Sequence, residues 1–272
     1  MNNDEIIRLF EGLSDVFNVL YLRPLWQKYQ LDDTIDAASL FLEGYAFERQ
    51  GRSPAFSPAA VESIRRCRKA HISGDFPQAV WENFCDLLEN QGLNPKLNPL
   101  CPKYPLYHPT NSCNCIWCVS NSENIIVSSK NALKVGQTKE AWAKLVKIQG
   151  IGPKIASLFL RDVAIRYENE LRLPEDNDRW LLQPIDIWVR RIVMQLDNNI
   201  DKNARYEELA KWIVSKSERP EYCNQGMWYF GAKIAQTEFR LDSYLEDPQA
   251  VINKHIITLQ TNAQAILELT SV

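Results

Sequence analysis

Apolar positions recur along this chain at spacings of three and four, the period that puts side chains on one face of an α-helix. Residues 4–20 carry Ile6, Leu9, Phe10, Leu13, Phe17 and Leu20 on one stripe and predict an amphipathic helix. Residues 34–48, with Leu40, Leu42 and Phe47, predict a largely apolar, buried one. Ser57-Pro58 predicts a helix start, with Ser as cap and Pro in the first position, running to about Ala70. Residues 77–89 predict another, rich in large side chains at Trp81, Phe84 and Leu87. Prolines then interrupt the pattern from Gly92, and a Pro- and Cys-rich connector spans 92–120. Helical spacing resumes near Ser129 and continues with breaks to the end, 247–269 included. Alternating runs are short and no Asn-Gly or Asp-Gly hairpin turn occurs, so the predicted fold class is all-α, without internal repeats.

Composition changes this picture little. Of 272 residues, 45% are hydrophobic and 24% charged, the profile of a globular protein with a substantial core. No run of 18 apolar residues offers a membrane span, and MNNDEIIRLF lacks the basic-then-apolar pattern of a secretory signal. A cytoplasmic protein without membrane contact is the expectation, its seven cysteines reduced or bound to metal. Charge is more informative in its distribution than in its sum. Between Cys101 and Arg166 nine Lys and Arg face three acids, a local excess of six in a chain of net charge −3. Such asymmetry suits one basic face presented to a polyanion, although Lys-rich helices are often only solvated surfaces.

The chemistry concentrates within that basic stretch. Residues 139–148 have helical spacing through Ala141, Leu145 and Ile148. Gln149-Gly150-Ile151-Gly152-Pro153 cannot continue a helix, and a second one begins at Lys154. Two helices joined by a Gly-x-Gly turn, here 139–166, form the helix-hairpin-helix pattern. Its glycines leave room for a phosphate to approach the backbone, and the start of the second helix offers amide donors with partial positive charge. Gly150, Ile151, Gly152, Pro153 and Lys147 are therefore candidate DNA-backbone contacts, giving position without sequence reading. The same hairpin also serves as a plain phosphate grip in proteins without catalysis.

A second element follows. Pro184-Ile185-Asp186 precedes a predicted helix with Val189, Ile192, Val193 and Leu196 on one side. Gly150-Ile151-Gly152-Pro153-Lys154 followed by Pro184-Ile185-Asp186-x-x-Val189-x-Arg191-Ile192 resembles the superfamily of helix-hairpin-helix DNA glycosylases (HhH-GPD) that contains endonuclease III and the 8-oxoguanine glycosylases. The matched motifs cover about 50 residues. The resemblance implies a two-part helical fold with an active-site cleft: a middle bundle over 31–194, and an N- and C-terminal half over 1–30 and 195–272. It implies a glycosylase with AP-lyase activity acting on double-stranded DNA with a damaged or modified base, and no cofactor required for the chemistry. It assigns Lys154 as Schiff-base nucleophile and Asp186 as essential carboxylate, with Arg190 near the DNA. The residue types suit the reaction: a carboxylate stabilises cationic character developing on the sugar, and a neutral amine attacks C1′. The nucleotide must first be flipped out of the duplex. Asp186 equally reads as a helix N-cap, and the two roles are compatible.

The 32-residue separation of Lys154 from Asp186 is longer than in endonuclease III-like members and similar to that of archaeal 8-oxoguanine glycosylases, which makes 8-oxoguanine the leading substrate. By that similarity Trp228, in the aromatic stretch 224–231, would stack on the flipped base; the plain alternative is a core residue. Cys101, Cys113, Cys115 and Cys118, spaced C-x11-C-x-C-x2-C, raise zinc or an iron–sulfur cluster as a cofactor, or simply reduced thiols on a loop. Two functions stay open: a base-excising enzyme, expected as a monomer associated with the nucleoid, and a non-catalytic DNA-binding module.

Overall fold

The computed structural model describes residues 2–47, 54–70, 75–95, 98–102, 114–120, 123–171, 173 and 178–270, with side chains to 264. Every regular element among the described residues is helical. None of these helices is long and apolar enough to cross a membrane. The chain divides into two compact units, one joining Met1–Tyr21 to Ile185–Val272, the other formed by Leu22–Pro184.

In chain order, α1 (Asn3–Phe17) opens the first unit, started by a capping box between Asn2 and Glu5. A π-helical stretch (Asn18–Leu22) follows it. The second unit contains α2 (Arg23–Gln27), α3 (Thr34–Phe41) with its π-helical continuation (Leu42–Phe47), α4 (Phe56–Lys69) and α5 (Phe76–Glu89). The short α6 (Ile116–Val119), α7 (Ile125–Lys134), α8 (Thr138–Val146) and α9 (Pro153–Arg166) complete it with a 3-10 turn at Arg179–Leu182. The first unit resumes with α10 (Ile187–Leu196), α11 (Tyr206–Lys216), α12 (Pro220–Tyr229), α13 (Glu238–Tyr244) and α14 (Pro248–Thr270).

Two boundaries depart from the sequence expectation for a packing reason. α4 begins at Phe56, so Ser57 lies inside the first turn and does not cap it. Phe56 is buried against Phe47 and Phe84, at 6.0 and 5.9 Å between ring centroids, and this contact draws the first turn onto the core. Residues 42–47 widen into a π-helical stretch that turns Tyr45 and Phe47 inward.

The second unit is organised around α9. Ile155 through Ile165 are buried without interruption, so this helix has no solvent-facing side over three turns. Phe159 meets Phe41 and Tyr45 edge to face, with centroids 4.9 and 5.1 Å apart. Arg161 and Asp162, 1% and 0% exposed at their side chains, pair within the core at 2.7 Å. Asp162 also accepts from the Tyr45 hydroxyl at 3.1 Å, and Tyr45 accepts from Trp26 Nε1 at 3.1 Å. Each charge thus loses its water but gains hydrogen bonds, the condition under which a buried pair is tolerated.

The first unit depends on the close approach of α1 and α12. A Cβ at Gly226 would lie 1.8 Å from the Phe10 carbonyl oxygen, so only glycine allows this helix spacing. Phe10 and Phe230 stack edge-on nearby, and the Ser14 hydroxyl donates to Gln225 across the same interface. Gly231 repeats the arrangement against Trp188, whose Cβ would be 2.6 Å away. Gly226→Ala is expected to destabilise the protein by about 3 kcal/mol, the upper end for overpacking against rigid backbone, measured by chemical denaturation.

Candidate functional site

Helices α8 and α9 and the turn between them form the hairpin that the sequence predicts. α8 ends at Val146 with Lys147 as its exposed C-cap residue. The chain then turns through Gly150, whose φ of +80° lies in the left-handed region that favours glycine. Ile151 is buried and its N–H donates to Ile148 O at 3.0 Å, which pins the turn to the core. Gln149 N–H donates to the Asn114 carbonyl at 2.7 Å, tying the turn to the cysteine-bearing segment. Gly152 caps α9 without a side chain, and Pro153 occupies the first helical position. Pro153 and Lys154 are exposed. Trp142 Nε1 donates to Ser157 Oγ at 3.1 Å and locks the two helices together.

Gly152 differs from the other constrained glycines. Its φ of −93° suits any residue, and a Cβ there would meet nothing within 4 Å. Among the described residues, nothing packs where a side chain at this position would project.

Asp186 belongs to the first unit, Lys154 to the second. Asp186 is half-buried and caps α10, its Oδ1 accepting from Trp188 N–H at 2.9 Å and Val189 N–H at 3.0 Å. The capping role read from sequence is therefore present. Arg190 turns its guanidinium onto the 202–204 loop, donating to Ala204 O at 2.8 Å and Lys202 O at 3.5 Å. Arg191 pairs with Asp242 and Glu238 of α13. Trp228 is half-buried and packs edge-on against Phe17 at 5.5 Å, next to a cluster in which Tyr229 hydrogen-bonds His255 at 3.0 Å. Burial pushes the Tyr229 hydroxyl up and the His255 imidazole down, so both stay neutral near neutrality.

Of the cysteines, Cys101 and Cys115 are buried, Cys118 is exposed, and Cys113 lies outside the described residues. The sulfurs of Cys115 and Cys118 stand 3.4 Å apart. Among the described residues no group of three or more His, Cys, Asp or Glu gathers as a metal site. The basic stretch is less one-sided than its sequence suggests: Arg161 lies in the core, Lys130 pairs with Glu170 and Lys144 with Glu123.

A cavity of about 580 Å³ at the far end of α9 escaped sequence reading. It surrounds Tyr167, with Lys130 at 4.7 Å and Arg166 at 5.7 Å from the ring centroid, and Arg23, Asp32 and Glu170 on its wall. Burial pushes the Tyr167 hydroxyl up, against the pull of Lys130 and Arg166. Its members come from three separated segments, and no local motif joins them. An apolar groove of about 690 Å³ runs between α7 and α8.

No family model matches the chain and no solved structure matches it. It is similar to an uncharacterized protein of Methanocaldococcus jannaschii, 27% identical over 291 residues, an alignment that takes in 84% of this chain. The chain spans 66% of that protein's length.

The cap and the carboxylate charge of Asp186 are separable. Asp186→Ala is expected to cost about 1 kcal/mol in denaturant unfolding, whereas Asp186→Asn, which keeps a capping oxygen, stays within a few tenths.

Proposed function

We propose that the protein is a DNA glycosylase with AP-lyase chemistry, excising a damaged or modified base from double-stranded DNA, with 8-oxoguanine the leading substrate. The observation that carries this reading is the α8–α9 turn. Gly152, where a side chain would meet no described residue, stands at the mouth of a buried helix, beside exposed Lys154 and Lys147. Open space where a side chain would project is what a phosphate approaching the backbone requires, and a buried helix holds the turn rigid for it.

On this reading Lys154 and Asp186 supply the two reacting groups. The Lys154 amine bonds to C1′ as the C1′–N bond breaks, and the base leaves with the electron pair and takes up a proton. The Asp186 carboxylate stabilises the positive charge that builds on the sugar. Ring opening gives the imine, and β-elimination then breaks the bond from C3′ to its oxygen.

Borohydride treatment with duplexes carrying 8-oxoguanine, oxidised pyrimidines, modified cytosines or an abasic site is expected to trap a covalent adduct. Lys154→Gln should form none, and Asp186→Asn should lose base release at unchanged stability. Absence of both trapping and base release across the panel overturns the enzyme. Gly152→Ala should change stability by less than about 1 kcal/mol while weakening duplex binding roughly tenfold, the loss of one charged contact.

The capping bonds of Asp186 favour a second reading, in which the hairpin is a DNA grip without catalysis. That protein would bind duplexes with a steep salt dependence and no preference for lesions, and Asp186→Asn would change nothing.

A further inference from the structure

The segment carrying Cys115 and Cys118 is built into the unit at three points. Ile116 N–H donates to Pro99 O at 2.7 Å, which holds the turn against the 98–102 segment. Ile116 and Trp117, the two residues between the cysteines, are buried, and Trp117 packs edge-on against Phe76 at 5.5 Å. The Asn114 carbonyl, one residue before Cys115, accepts from Gln149 in the hairpin turn. The two sulfurs are thereby held 3.4 Å apart, one buried and one exposed.

We infer that Cys115 and Cys118 are a redox-active dithiol that closes to a disulfide by exchange with small disulfides of the glutathione class, and that closure loosens the hairpin turn. A disulfide bond is about 2.05 Å long, so the sulfurs must approach by roughly 1.4 Å. That movement is within reach of side-chain rotation and a small shift of a one-turn helix. Exposure assigns the order of events. The Cys118 thiolate attacks one sulfur of the small disulfide, forming a mixed disulfide and expelling one thiolate. The Cys115 thiolate then attacks the Cys118 sulfur and expels the second. The two protons given up by the cysteines go to the two departing thiolates, so one small disulfide is reduced to two thiols as the protein pair is oxidised. The helix shift that accompanies closure acts on the Asn114–Gln149 bond, because Asn114 is attached directly to Cys115.

Titration of the full chain with oxidised glutathione, followed by intact mass, is expected to show loss of two hydrogens. The Cys113→Ser chain should behave the same way. Cys115→Ser should instead accumulate one glutathione on Cys118. Cys118→Ser, altered only at an exposed position, should show neither change. Amide exchange at Gln149 should speed up on oxidation. Two-hydrogen loss persisting in Cys118→Ser, or stoichiometric zinc in the protein as purified, overturns the dithiol. Unchanged exchange at Gln149 overturns the coupling. A further consequence rests on the DNA reading above: oxidation should weaken duplex binding roughly fivefold, the scale of one neutral hydrogen bond. Failure of the reduced protein to bind any duplex would count against that reading, and the mass and exchange results would stand apart from it.

Discussion

An arginine and an aspartate lie side by side on α9 with almost no solvent at either, and the second unit is arranged to make that tolerable. Two charges taken out of water are costly unless their remaining hydrogen-bonding positions are met. Here the Asp162 carboxylate receives the guanidinium on one oxygen and the Tyr45 hydroxyl on the other, and Tyr45 is held by Trp26. α2, the π-helical stretch after α3, and α9 are thus bound through one polar chain inside an apolar core. Losing Arg161 or Asp162 would take from the other its ion-pair partner inside the core. The chain therefore specifies how α9 is rotated, which apolar contacts alone specify less sharply.

A helix fixed on every side has only its ends left for chemistry. One end is the Gly-x-Gly turn with Lys154; the other is the cavity around Tyr167. About 20 Å of helix separates them at 1.5 Å per residue. The turn end is the more constrained of the two. Ile151 anchors it in the core, Gln149 ties it to Asn114, and Gly150 supplies the left-handed step that lets both happen at once. Rigidity of this kind is what a phosphate-binding turn needs, since the amides must be in place before the ligand arrives.

The glycines separate packing from function. Gly226 and Gly231 are explained by the side chains and backbone that press on them. Gly150 is explained by its φ. Gly152, like Gly12 in α1, is explained by neither. Asp186 shows the reverse: its capping bonds account for an aspartate there without any reaction, so the proposed carboxylate role rests on chemistry and resemblance.

The sequence by itself determined the helical class, the hairpin between residues 139 and 166, and the cap at Asp186. Each depends on interactions between near neighbours: spacing on one helix face, helix-breaking Gly and Pro, and an oxygen two or three residues from the amides it accepts. It gave no sign that α9 is buried on every side, because the Tyr45 hydroxyl that meets Asp162, and the Trp26 that holds Tyr45, lie more than a hundred residues earlier. It placed Arg190 among DNA contacts, whereas its guanidinium also holds the loop at 202–204. It had no means of finding the Tyr167 cavity or the approach of Cys118 to Cys115 at 3.4 Å. Those features are set by which distant segments share a surface, and only the tertiary structure decides that, because pattern along a chain encodes which side of an element is buried but not against what.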